Sequence, residues 1–567
     1  MKRIERVGVH SVWAGAFFVL VAIPAAVLAQ QPPSIIDPGR VRERFDFQPE
    51  PGASAAPPEI KAEPSGSLPE SLRTVKVTLK RIDIESRTVL PGGTLQSHAD
   101  SYTGREITGS EILQLASSLT AMYRNAGYIL SLVVVPPQSL SDGTLTLRVV
   151  EGYIDRVNIQ AGGDVSAHVR EQLAAVGEKI RASRPIQGPV LERYLLIAND
   201  FPGIELRSVL APAQAPGAAD LTLIASVKKV EGFAAADNYG SKYLGPAEIG
   251  GEVSVNQLLG VNDQWRFRGL SSGNSELAYA QISYSQVVTT EGLKLSAAVS
   301  QARTRPGDIL TLFDMRGNAD TITVSAAYPL LRTRNESVTA RATYEHTDVE
   351  TDVLGTRVIE DHIRALRLGL NWRVLDRLGG QNSLELEFSQ GLGGTQESDL
   401  LKSRTGAKGV FNKLTFDYER TQPLASNFAL TVGMLGQWAN TPLLSSEQFA
   451  VGGRRFGRAY EPAELVGERG LAFRAEPRYS RSSDFAGIRS WQLFAFYDIG
   501  KVWKVGRTSP GTPDSQSLAS AGVGTRLFLP RNVVAAIEIA WPLTKPIASY
   551  QPHGKDPRLL GTLLVRF

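Results

Sequence analysis

From about residue 229 to the C-terminus, apolar and polar residues alternate in a long succession of short runs. Leu293, Leu295, Ala297 and Val299 alternate with Lys294, Ser296, Ala298 and Ser300. Ile322, Val324, Ala326 and Tyr328 follow the same rule, as do Leu414, Phe416 and Tyr418. Leu366, Leu368, Leu370, Trp372 and Val374 alternate with Arg367, Gly369, Asn371 and Arg373. Period two puts successive side chains on opposite faces of a strand, one greasy and one wet. A soluble sandwich also alternates, but three features favour a membrane. The dyads fill the whole region. Aromatics fall at expected strand ends (Tyr328, Tyr344, Trp372, Trp541), as in interfacial girdles. The chain also finishes on an alternating run, Leu563 to Phe567. In hydrocarbon every backbone polar group needs a partner, so a spanning sheet must close into a barrel. At roughly 20 residues per strand and connection, the region holds about 16 antiparallel strands.

Composition agrees. Mean hydropathy is −0.11, too low for a bundle of helical spans of about 20 apolar residues each. The 61 basic and 57 acidic residues leave a net charge of +4. No concentrated basic face points to nucleic acid. There are no cysteines, which excludes a disulfide scaffold, thiol catalysis and cysteine-ligated metal. The six histidines lack metal-ligand spacing, so no metal or other cofactor is expected. No Walker loop, G-x-S-x-G elbow or His-Glu-x-x-His motif is present, and an enzyme is not expected.

The N-terminus reads as a secretory signal over 1–29. Lys2, Arg3 and Arg6 precede the apolar run Val12–Leu28, and Val27 and Ala29 supply small residues before a cleavage site. A single membrane anchor is the alternative. Residues 30–47 contain a short helix, with Asp37 as cap and Pro38 at its first position. Residues 48–73 are rich in Pro, Ala, Ser and Glu and read as a linker.

Residues 74–150 predict a small α/β unit. Val75 to Leu79 and Ile82 to Ile84 form strand, and Ile112, Leu115, Leu119 and Met122 lie at helical spacing with Ser110 as cap. Tyr128 to Val135 is a second strand, and Asp142-Gly143 turns the chain into Thr144–Val150. Residues 151–228 repeat the plan, ending in a strand pair at Ile204–Leu210 and Leu221–Val227.

Within the barrel region, Arg266, Arg268, Lys294, Arg341, Glu345, Arg367, Arg373, Glu385 and Glu387 fall on the polar phase and imply a hydrated lumen. The stretch FAVGGRRFGRAYEPAELVGERG (449–470) breaks the alternation with a glycine pair, clustered arginines and an aromatic. Phe494 to Gly500 reads FAFYDIG.

These two motifs resemble the inward loop and its barrel-strand partner in outer-membrane translocators of two-partner secretion, the haemolysin secretion/activation family. The loop motif comprises Gly452, Gly453, Arg458, Ala459 and Tyr460; the strand motif comprises Phe496, Asp498 and Gly500. Ala459 stands where the family usually has glycine. The resemblance implies that Arg458 pairs with Asp498 inside the barrel. Tyr123, Gly127, Tyr128, Gly143, Glu151 and Gly152 similarly resemble a polypeptide-transport-associated (POTRA) domain, and 191–212 resembles part of a second. The implied architecture is an α+β POTRA pair (74–150 and 151–228) in the periplasm, followed by an all-β transmembrane barrel (229–567). The helix in 30–47 resembles the family's plug, and Phe567 the terminal assembly signal of outer-membrane barrels.

The function implied is export of a large β-rich exoprotein, captured unfolded, across the bacterial outer membrane without nucleotide hydrolysis. Further partners implied are outer-membrane lipid, the barrel-assembly machinery and periplasmic chaperones. Capture candidates are the strand residues Tyr128, Leu130, Leu132, Val134, Ile204 and Leu206. An insertase of the same superfamily and a solute porin are the alternatives.

Overall fold

The computed structural model describes residues 34–45, 76–85, 89–483, 485, 487–506, 513–550 and 552–567. The expected signal segment and linker lie outside them.

Two α/β modules precede the barrel. The first contains β1 (Lys76–Thr78), β2 (Arg81–Glu85), α1 (Gly92–Asp100), β3 (Glu106–Thr108), α2 (Gly109–Asn125), β4 (Leu132–Val134) and β5 (Thr144–Val150). Its sheet runs β2-β5-β4, and β1 pairs separately with β3. The expected continuous strand through Val77 and Ile82 is therefore two strands with different partners. The cap of α2 is Thr108 rather than Ser110. Its hydroxyl accepts the Glu111 N–H while the Glu111 carboxylate accepts the Thr108 N–H, a reciprocal capping box. Leu79, Ile107, Leu115, Leu119, Tyr123, Leu145 and Leu147 form the fully buried core.

The second module contains β6 (Tyr153–Ala161), α3 (Ala167–Arg181), α4 (Gly188–Asn199), β7 (Ile204–Pro212) and β8 (Ala218–Val227), in the order β6-β8-β7. It is tied to the first by Gly188 N–H donating to Gly127 O (2.7 Å) and to the barrel's inner rim by side chains. Arg332 forks onto Asp200 (2.7 and 2.8 Å), Asn262 donates to Gln172 (2.8 Å), and Tyr194 donates to Glu291 (2.8 Å). Burial and the Glu291 hydrogen bond push the Tyr194 phenol up to about 12.

The remainder closes into a sixteen-stranded barrel. Its strands are β9 (Val230–Asp237), β10 (Glu248–Asn256), β11 (Asp263–Ser272), β12 (Leu277–Val287), β13 (Lys294–Thr304), β14 (Arg316–Arg332), β15 (Glu336–Val353), β16 (Thr356–Leu375), β17 (Gln381–Gly394), β18 (Asn412–Pro423) and β19 (Phe428–Ala439). After an inserted ribbon of β20 (Phe449–Val451) and β21 (Leu465–Gly467) come β22 (Arg469–Ser482), β23 (Ser490–Trp503), β24 (Ser515–Leu529), β25 (Val533–Pro542) and β26 (Arg558–Arg566). All neighbours are antiparallel, and β26 pairs back onto β9. No described helix is long and apolar enough to cross a membrane; the strands do that work.

The outward face marks where lipid ends. On β15 it reads Val338, Ala340, Ala342, Tyr344 and then His346, Asp348, Glu350, Asp352. Opposite on β16, Trp372 pairs with Val338 and Leu366 with Tyr344, followed by Arg364, His362 and Glu360 beyond. The apolar band therefore stops at Tyr344, within the 9–11 residues a spanning strand needs. Tyr344 is not at a strand end as expected, because β15 continues about nine residues into the extracellular space. Tyr328, Trp372 and Trp541 do lie near strand ends.

Candidate functional site in the barrel lumen

The 440–468 connection between β19 and β22 leaves the outer rim and folds into the barrel. The left-handed residues around its tip are Gly452 (φ 120°), Gly453 (φ 87°), Gly457 (φ 92°) and Ala463 (φ 55°). Gly452 also leaves no room for a side chain, since a Cβ there would lie 2.2 Å from Glu461 O. Ala459 is not among the left-handed positions; the positive φ falls two residues earlier at Gly457. Its methyl is fully buried, as is the neighbouring Tyr460. The Tyr460 hydroxyl donates to Lys545 O (2.9 Å).

Arg458 and Asp498 meet. Arg458 is 4 % exposed and Asp498 is fully buried. The guanidinium donates through Nε to Asp498 Oδ2 (3.2 Å) and through Nη2 to Oδ1 (3.2 Å), a bidentate fork. The Gly457 and Arg458 backbone N–H groups also donate to Oδ2 (3.2 and 3.1 Å). The guanidinium stacks 3.5 Å from the Phe496 ring centroid. Gly500 is explained by packing: a Cβ there would lie 2.5 Å from Val451 Cγ1 of β20.

Two further acids join that sequence reasoning missed. Glu476 accepts from Arg458 Nη1 (2.7 Å) and also pairs with Arg478 (2.8 Å) and Arg526 (2.9 Å), and Glu538 lies 3.7 Å from Arg458. Three arginines thus face three carboxylates. Each acid sits on the lumen phase of its strand. From sequence such a residue looks like any wetted wall position.

The N-terminal segment also lies in the lumen. Ser34–Ile36 and Pro38–Phe45 are 3₁₀ turns around Asp37, whose carboxylate accepts the Gly39 N–H (2.8 Å). Val41 is fully buried among wall side chains that include Leu270, Leu277, Ala319 and Val349. Ser34 Oγ donates to Ala463 O (2.9 Å) and Arg40 to Ser445 O and Gln448 O (both 2.8 Å), all on the inward loop. Arg42 forks onto Glu345 (2.5 and 3.2 Å), and Arg44 pairs with Glu248 (2.9 Å). Glu345 in turn holds Arg367 (2.7 Å), Arg367 holds Glu447 (2.6 Å) and Glu447 holds Lys413 (2.5 Å). One charged chain therefore joins segment, wall and loop base. A cavity of about 340 Å³ remains between the segment, the loop tip and the wall.

Other candidates separate. The Tyr128–Val135 run is not one strand: only Leu132–Val134 is extended. Tyr128 packs edge-on against Tyr123 in the first core, and Leu130 packs against the second module's core. Ile204 and Leu206 point into the second core, so β7 offers its backbone edge rather than these side chains. Val134 and Leu132 are half-buried on β4, an edge strand. Phe567 closes the seam, exchanging backbone hydrogen bonds with Gly232 (3.0 and 3.1 Å).

A lipid-facing barrel behind two POTRA modules, with its lumen occupied by a folded-in loop, defines an outer-membrane translocator whose modules lie in the periplasm. Residues 221–527 match the model of the haemolysin secretion/activation protein ShlB/FhaC/HecB family, and residues 77–152 match the ShlB-type POTRA domain. The chain belongs to this family of two-partner secretion transporters, which move exoproteins across the outer membrane. It is 22 % identical over 552 residues to the heme/hemopexin transporter protein HuxB of Haemophilus influenzae, covering 96 % of this chain and 97 % of that one. It is 22 % identical over 492 residues to the outer membrane transporter CdiB of Dickeya dadantii, covering 83 % of each. Its fold superposes on CdiB from Escherichia coli with a TM-score of 0.64 at 18 % identity, over 96 % of this chain and 95 % of that one. BamA from Haemophilus ducreyi, lacking POTRA domains 1–3, gives 0.51 at 12 % identity, over 87 % and 100 %.

Proposed function

We propose that this translocator exports one large, β-rich exoprotein, and that the loop at 449–470 is the moving part that Arg458 latches. The observation that carries the reading is the Arg458–Asp498 fork, buried and reinforced by two loop N–H groups. A buried pair adds little net stability, but loss of one partner strands the other. That asymmetry suits a latch. Residues 1–29 act as a cleaved export signal, 30–47 as a plug and 48–73 as its tether. The lumen contacts of 34–45 support this: Arg42 and Arg44 pair with wall carboxylates that can exchange them for water, while Ile35, Ile36 and Val41 pack on an apolar patch that holds the segment at rest.

Capture uses sheet edges. β4 and β7 each have one strand neighbour among the described residues, so an extended segment can add to either by main-chain hydrogen bonds. The chain is not an enzyme on this reading, and its transport draws on cargo folding outside the cell rather than on nucleotide. Barrel-assembly machinery and periplasmic chaperones serve its own biogenesis. Co-expression with the exoprotein tests the proposal. Arg458→Ala should block release of cargo to the medium with barrel abundance unchanged, and normal release removes the latch.

A further inference from the structure

The seam between β26 and β9 is the shortest ladder in the barrel, five residue pairs from Thr562↔Asp237 to Arg566↔Phe233. Beyond Asp237 the Asn238 side chain substitutes for the missing ladder, donating to Leu559 O (2.9 Å) and accepting from Gly561 N–H (2.7 Å). At this outer end, Asp237 on β9 stands directly opposite Glu248 on β10. Both are buried on the lumen side. Like charges directly opposite one another destabilise a strand pair. Each carboxylate here has its own arginine, and the two arginines come from different places. Arg454 of the loop tip pairs with Asp237, and Arg44 of the N-terminal segment pairs with Glu248.

Arg454 adjoins the Arg458 site through Tyr239, which hydrogen-bonds to Glu538, but its ion pair is made elsewhere. Its guanidinium lies 4.4 Å from the Tyr239 ring centroid and reaches the seam strand, while its neighbour Arg455 pairs with Asp417 on β18 across the lumen. β9 and β18 are first and tenth in sequence order around the sixteen-stranded wall, so the two arms brace roughly opposite sides.

We propose that Asp237 and Glu248 form an acidic pair that senses lumen occupancy. With loop and segment in place, Arg454 and Arg44 neutralise the pair and β9 stays seated. When both withdraw, the two carboxylates face each other without an arginine beside the weakest ladder, Asp237 keeping its Tyr239 N–H (2.9 Å), and the outer end of β9 loosens. The barrel then gains girth at the seam only while the lumen is being used. The consequence for export rests on reading 34–45 as a plug; the seam measurement below does not, and plug conductance is a separate test.

The chain has no cysteine, so a reporter pair is clean. Ala235→Cys and Leu564→Cys lie opposite one another in the seam. The rate of disulfide formation under mild oxidant, in outer-membrane preparations of the full chain, reads its closure. Arg44→Gln with Arg454→Gln should slow that rate about tenfold, as the two facing carboxylates repel at an effective dielectric of about 20. Adding Asp237→Asn and Glu248→Gln should restore it. An unchanged rate in the first variant, or no recovery in the second, overturns the proposal. If the arginine variant fails to assemble, assembly of the fourfold neutral variant supports the repulsion, and failure of both overturns it.

Discussion

Removing the Arg458 guanidinium leaves Glu476 with Arg478 and Arg526, so that acid stays compensated. Asp498 is different. Its remaining donors are the Gly457 and Arg458 N–H groups on Oδ2 and the distant Ser520 hydroxyl (3.4 Å). Breaking one side of a buried ion pair costs about 3–5 kcal/mol. The surviving N–H donors place Arg458→Ala at the lower end, about 3 kcal/mol. At about 1.4 kcal/mol per tenfold, docking of the loop weakens by about two orders of magnitude. Export should fall at least tenfold, read as cargo in the medium against cargo retained in the periplasm. Heat-modifiable mobility on gels should show the barrel folded at its usual level. Arg458→Gln with Asp498→Asn removes the stranded charge and should recover part of the export. Wild-type export by Arg458→Ala, or a double variant no better than the single, refutes the electrostatic account.

Deleting 34–45 empties much of the lumen and should raise single-channel conductance in planar bilayers; unchanged conductance argues against a plug. Gly500→Val drives a side chain into Val451, and the overpacking, about 1–3 kcal/mol, should expose the β20–β21 ribbon to protease while the barrel stays resistant. Deleting 76–227 should abolish binding of an unfolded cargo fragment in vitro, and retained binding relocates recognition to the barrel. Tyr194 has its phenol raised to about 12 when docked on Glu291. Its contribution is therefore complete below the ordinary tyrosine range near 10 and is lost as pH rises through about 12. Alkaline loosening of the second module, followed by proteolysis of its barrel junction, should lose this step in Tyr194→Phe.

The barrel was legible because lipid imposes period two on every strand, and strand count follows from length. The Arg458–Asp498 contact was legible only through resemblance, since 40 residues separate the partners. The contacts of Glu345 and Glu476 were not: an acid on a wet strand face carries no mark of which arginine will cross the lumen to meet it. Arg42 and Glu345 lie 303 positions apart. The cap at Thr108 could have been read, because Thr108-Gly-Ser-Glu111 has the reciprocal spacing. The Tyr128–Val135 run misled for a packing reason. Its first residues are apolar because they cement two modules, not because they extend a sheet.

The hollow of about 340 Å³ between segment, loop tip and wall bears on how cargo can enter. Water clusters and small solutes fit in such a hollow; a threaded polypeptide or a bulky antibiotic does not. A chain entering this hollow must push the segment or the loop tip aside before it can thread.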